Sequence, residues 1–78
     1  MLSKYIHAAM RLATYKILED GTYYGEIPGF QGVLANAGTL EECREQLQEV
    51  LEDWILLGVK LGHVLPVVDK IRLVTEMV

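Results

Sequence analysis

The chain has 78 residues, 51% of them apolar and 23% charged, with a formal net charge of −4 and an isoelectric point near 5.0. This length allows a single domain over residues 1–78 with a small core, and so high an apolar content excludes a disordered tail. The acidic balance has the wrong sign for a nucleic-acid binder, and the lone Cys43 excludes an intrachain disulfide.

Residues 2–10 are good helix formers with Ser3 placed as a cap, and Leu2, Ile6, Ala9 and Met10 share one helical face. Alternation of Tyr5, His7 and Ala9 also fits a strand, but the helix is preferred. From Leu12 to Leu18 the period changes to two, with Ala13, Tyr15 and Ile17 on the apolar side, which predicts a strand with one buried face. Asp20-Gly21 then supplies a hairpin turn, and Thr22–Ile27 reads as the return strand. Gly25 inside that strand predicts a bulge or a close backbone approach. Pro28-Gly29 ends it, Phe30-Gln31-Gly32 continues the turn, and Val33–Ala37 is a third strand.

Thr39 and Glu42 have the spacing of a capping box and open a long helix. Leu40, Cys43, Leu47, Val50, Leu51, Trp54 and Gly58 fall on its apolar stripe, and Trp54 is expected to anchor helix to sheet. Gly62 is the expected stop. Pro66 fixes a connector, and alternation over residues 70–77 predicts a fourth strand. The order helix, three-stranded antiparallel meander, long helix, strand makes an α+β, two-layer domain.

Lys4, His7 and Arg11 interrupt any leader-like apolar stretch, and the longest apolar run, Trp54 to Val59, falls far short of the about 20 residues a spanning helix needs. The expectation is a cytoplasmic protein without a membrane segment.

No reactive centre can be assembled from these residues. His7 and His63 have no metal-ligand neighbour at helical spacing, Ser3 is the only serine, and no glycine run leads into a helix as a phosphate loop would. Cys43 reads as a small core residue, with the acids Glu41, Glu42 and Glu45 around it expected to raise its pKa. Catalytic, cofactor and metal residues are therefore expected to be none. The long helix holds only Arg44 and Lys60 as cations, which argues against direct nucleic-acid binding.

Three surfaces remain as candidates for binding another protein. Glu41, Glu45, Glu49 and Glu52 form an acidic stripe on the long helix, which otherwise reads as an ordinary solvated face. Tyr24 and Phe30 lie near the hairpin, where aromatics either join the core or make an interface anchor; one of Tyr23 and Tyr24 must face away from the helix layer. An unpaired strand edge offers a third surface, on which a second copy would extend the sheet into a homodimer or a higher homo-oligomer.

The middle of the chain, residues 12–68, resembles the HicB family of antitoxins. Asp20-Gly21, Tyr23, Ile27-Pro28, Gly32, Thr39-Leu40-Glu41-Glu42, Trp54, Gly62 and Leu65-Pro66 carry the resemblance in order and spacing. Val33 stands where the family has Cys, and Ala37-Gly38 where it has Gly-Asp before the capping Thr. The resemblance implies a partial ribonuclease H-like sheet, in which the strand after the helix lies parallel to the first. It also implies a partner: a small basic toxin ribonuclease whose RNA-binding surface the acidic stripe would mask. The C-terminal DNA-binding domain that many family members carry is expected to be missing. In working ribonuclease H-like enzymes, strand carboxylates hold two metal ions. Here the first strand has no acid, and only Glu19 and Asp20 lie at its end, so a residual nuclease is the less favoured alternative. The other is a stand-alone structural or ligand-binding module with no toxin partner.

Overall fold

The computed structural model describes residues 2–68. In chain order these form α1 (Leu2–Arg11), β1 (Thr14–Ile17), β2 (Tyr23–Glu26), β3 (Leu34–Ala37) and α2 (Leu40–Leu61). The strands make one antiparallel sheet in the order β1-β2-β3, and with the two helices they give the expected α+β fold. The fourth strand, expected over residues 70–77, lies outside the described residues.

Each turn follows from local chemistry. At the first hairpin Gly21 donates to the Leu18 carbonyl and Leu18 to the Thr22 carbonyl, with Gly21 at φ 85°. This is a type I turn closed by a left-handed glycine, one residue longer than the tightest hairpin. Asp20 Oδ1 accepts from both the Thr22 amide (3.0 Å) and its hydroxyl (2.6 Å), and Asn36 Nδ2 ties the same hydroxyl to β3 at 2.9 Å. Between β2 and β3 two turns follow one another: Phe30 donates to the Ile27 carbonyl and Val33 to the Phe30 carbonyl. Each carries glycine at its third position, Gly29 and Gly32, which suits a type II turn. Phe30, at their junction, turns inward and is 3% exposed.

α2 starts on the predicted cap. The Thr39 hydroxyl oxygen accepts from the Glu42 amide at 3.1 Å. The Glu42 carboxylate reaches back to the cap residue, accepting from the Thr39 hydroxyl at 3.0 Å. Gly62 ends the helix with φ 73°, donating to the Val59 carbonyl while His63 donates to that of Gly58, the double bond of a Schellman motif.

The core lies between α2 and the sheet, with α1 packed on α2. Cys43, Leu47, Leu51, Ile55 and Gly58 of α2 are buried, as are Ala35 of β3 and Ile27, Phe30 and Val33 of the adjoining turns. On α1 the buried set is Tyr5, Ile6, Ala8 and Ala9, while Leu2 is 45% exposed, so the apolar face is rotated from the one expected. Tyr5 is fully buried and its hydroxyl donates to the Pro66 carbonyl at 2.6 Å. Ile17, expected inward, is 65% exposed. The reason is that α2 covers β3 and β2 and does not reach β1. Leu40, placed on the apolar stripe, is also exposed, because it occupies the first helical turn beyond the edge of the core.

Gly25 sits in an unbroken register opposite Tyr15 and Ala35, so there is no bulge. A Cβ there would lie 2.8 Å from the Tyr15 ring and 3.1 Å from Cys43 Sγ, the close approach the sequence suggests. At Gly58 a Cβ would meet Leu65 Cδ2 at 2.7 Å. The two should respond differently to alanine. Gly25→Ala forces a ring and a buried sulfur apart and should cost about 1–3 kcal/mol. Gly58→Ala displaces one methyl at the end of a flexible side chain and gains about 1 kcal/mol of helix propensity, which leaves it near wild type. Urea midpoints of the two variants distinguish the sites.

Candidate interaction surfaces

The outer side of α2 carries the acidic stripe. Glu41, Glu45 and Glu49 are exposed and Glu52 is half-buried, its Oε2 accepting from Gln48 Nε2 at 3.1 Å. Helical spacing of four, four and three residues keeps all four within a narrow arc on the side of the helix away from the sheet. Glu42 and Asp53 flank it and are also exposed.

Tyr24 lies on a different surface. Register pairs Lys16, Tyr24 and Asn36 in one row and Thr14, Glu26 and Leu34 in the next. Alternation places these six on one face of the sheet, opposite the face on which Gly25 approaches Cys43. The five others are exposed and Tyr24 is half-buried. Lys16 Nζ stands 5.3 Å from the centroid of the Tyr24 ring, a cation–π contact. Partial burial, and then the neighbouring Glu26 carboxylate, push the Tyr24 phenol above its ordinary range. An open groove of about 380 Å³ runs from Tyr24 and Glu26 along the turn to Leu34.

Phe30 does not belong to either surface. Its ring lies 5.1 Å from that of Trp54 and 6.3 Å from that of Tyr5, both tilted contacts inside the core. The paired turns swing it inward, which removes it from the candidate interface residues. Trp54, expected as the central anchor, stands instead at the rim of the core: it is half-buried, and its Nε1 donates to the Gln31 carbonyl at 3.1 Å. It holds the turn onto α2, while Leu47 and Leu51 fill the centre.

The structure therefore separates the acidic stripe from Tyr24. They lie on opposite sides of the domain, with sheet and α2 between them, and a single small partner cannot cover both.

One cluster was not legible in the sequence. Arg11 from the end of α1, Arg44 from α2 and His7 line an open groove of about 520 Å³ floored by Met10, Ala13 and Tyr15. No carboxylate lines it, and two of the few cations of an acidic chain are gathered there. The residues are 33 positions apart, and only the packing of α1 on α2 brings them together.

Among the described residues, no group of three or more His, Cys, Asp or Glu side chains is placed to hold a metal ion. Asp20 is occupied in its turn, where the Thr22 hydroxyl and amide hold its carboxyl below the usual range. Cys43 is fully buried and its Sγ lies 3.7 Å from the Ala35 carbonyl. Burial pushes its thiol up; the cause is desolvation rather than the acids beside it in sequence. Burial also raises the Tyr5 phenol.

These two shifts set an alkaline limit. The unfolded chain loses its thiol proton near pH 9.0 and its phenol proton near pH 10.0, whereas the folded chain retains both to higher pH. The folded state then binds more protons than the unfolded state, so stability falls as pH rises. From neutral pH upward, stability should hold to about pH 9 and decline above it. Cys43→Ala should remove the first part of that decline, seen as a flatter urea midpoint between about pH 9 and 10.

Comparison with known proteins places the chain. Residues 4–66 match the UPF0150-like family. The chain belongs to the UPF0150-like family. The match takes in α1 as well as the meander and α2, further toward the N-terminus than the motifs of residues 12–68 reach. The fold is similar to the crystal structure of TTHA0281 from Thermus thermophilus, with a TM-score of 0.88 and 39% identity over 94% of this chain and 91% of that one. No curated protein matches. No helix among the described residues of this UPF0150-like chain is long and apolar enough to cross a membrane.

Proposed function

We propose that this UPF0150-like chain works by binding another protein rather than by catalysis, as a HicB-like antitoxin module of the cytoplasm that masks the RNA-binding surface of a small basic toxin ribonuclease. The observation that carries this reading is the contiguous acidic face of α2, with Glu41, Glu45 and Glu49 exposed and Glu52 at its edge. A toxin that binds RNA presents lysines and arginines, and an acidic face both accelerates encounter and occludes substrate. The meander followed by α2 supports the reading too, because that element order is the one with which a partial ribonuclease H-like arrangement would begin.

Tyr24 is then a secondary contact at most, since it faces the other way. Tagged chain purified from its own host should retain a small, strongly basic protein, identified by mass spectrometry. Glu41→Lys/Glu45→Lys/Glu49→Lys should abolish that retention, and Tyr24→Ala should leave it intact. Association with the purified partner should slow by about 10-fold or more for the triple variant and weaken steeply with salt. Failure to retain any basic protein would favour the second reading, a stand-alone ligand-binding module. The groove of Arg11, Arg44 and His7 is the feature that speaks for it.

A further inference from the structure

The floor of the Arg11–Arg44–His7 groove is set by the sheet. Tyr15 of β1 pairs with Gly25 of β2, and a Cβ at Gly25 would lie 2.8 Å from Cδ1 and Cε1 of the Tyr15 ring. The bare glycine therefore lets the ring rest against β2, and the same ring lines the groove beside Met10 and Ala13. All three side chains are half-buried, so the floor is apolar and partly packed in place.

The rim is cationic and exposed. Arg11 stands in the last turn of α1, where a basic side chain often serves the terminal carbonyls. Here the Ala9 and Met10 carbonyls already accept from the amides of Leu12 (3.0 Å) and Ala13 (3.1 Å), so the guanidinium is not needed for them. Arg44 comes from α2 and marks the border with the acidic stripe. Arg44 and Gln48 also line a smaller hollow of about 220 Å³, whose other walls are Glu41 and Glu45. Arg44 is thus shared between a groove with no acid and a hollow with two.

We propose that the groove is a binding site for a small phosphate ester carrying a flat ring, the chemical class of a nucleoside monophosphate. Donor count favours phosphate. Two guanidiniums and an imidazole outnumber the two oxygens of a carboxylate, whereas a phosphate monoester offers three terminal oxygens and up to two charges. The Tyr15 floor gives a planar ring a surface to stack on. A volume of about 520 Å³ lies in the range of small-molecule sites. Charge argues against a polymer: a nucleic-acid strand continuing past Arg44 would run along Glu41 and Glu45, on a chain of net charge −4. The site rests on the second reading above, the ligand-binding module, and is independent of whether a toxin binds.

Calorimetric titration of the full chain with adenosine monophosphate at low salt tests it. A dissociation constant below about 1 mM is expected. Adenosine and inorganic phosphate should each bind about 10-fold or more weakly, since each keeps only part of the contacts. Amide shifts on titration should cluster at the end of α1, in β1 and around Arg44, and spare the 27–33 turns. Arg11→Gln/Arg44→Gln, at exposed positions, should keep its far-UV circular dichroism and weaken binding by about 30-fold or more. Glu41→Gln/Glu45→Gln should tighten it by about 2–5-fold, because Arg44 is then released to the groove. Absence of binding up to about 1 mM, or an affinity unchanged in the arginine variant, would overturn the proposal. Inorganic phosphate binding as tightly as the nucleotide would overturn the ligand class and leave a bare anion site. A short single-stranded RNA binding more tightly than the mononucleotide would overturn it in favour of a strand. Retention of a basic protein is measured separately, so failure here leaves the toxin reading to its own test.

Discussion

Replacing Leu51 with alanine should destabilise the domain by about 3–5 kcal/mol. Leu51 is 0% exposed and stands with Leu47 at the centre of the one core cluster of the described residues. The same cluster takes in residues of α1, β3 and the 27–33 turns, so the space left by the Leu51 side chain cannot close by the movement of one element. A chain of this size has only about 4–12 kcal/mol of stability in total. The variant should therefore be largely unfolded, or nearly so, at about 37 °C, with near-ultraviolet signal lost and the urea midpoint shifted strongly downward. Leu40→Ala, at a leucine 43% exposed on the same helix, should stay within about 1 kcal/mol of wild type. Comparable losses at both sites would mean that α2 is stabilised by propensity and not by what it buries.

Tyr5→Ala should be similarly severe, about 3–5 kcal/mol, because the ring is wholly enclosed and stacks toward Phe30. Tyr5→Phe separates ring from hydroxyl. It keeps the packing and removes only the 2.6 Å bond to the Pro66 carbonyl, at a cost of about 0.5–1.5 kcal/mol. That bond joins positions 61 apart in sequence, so its loss should also raise amide exchange in the connector after Gly62 before it is felt in the sheet. Equal losses for the two variants would show that the hydrogen bond, not the aromatic core, holds α1 in place.

Elements whose cause is local were legible in the sequence. Thr39, Glu42 and Gly62 mark α2 at both ends because capping is settled within one turn of backbone. The Asp20-Gly21 hairpin and the Pro28-Gly29 turn likewise depend only on neighbours, and the strands follow by alternation. What could not be read was sidedness. Alternation shows that Ile17 and Tyr15 share a face, but not that α2 crosses β2 and β3 and stops short of β1. Helical spacing put Leu2 on the buried face of α1, whereas the packing angle on α2 chose Tyr5 and Ala8. Phe30 looked like a surface aromatic because it stands among turn residues; the second of two consecutive turns carries it inward. The acidic stripe was visible as a stripe, but its position on the far side from Tyr24 depends on which face of the sheet the helix covers. The Arg11–Arg44 groove belongs to tertiary packing alone.

The length of α2 has a consequence for tumbling. At 22 residues it is about 33 Å long, whereas each four-residue strand spans about 13 Å. The N–H bonds of α2 all point along one axis and those of the sheet lie across the strands, so under anisotropic rotation the amides of the two elements should relax at different rates.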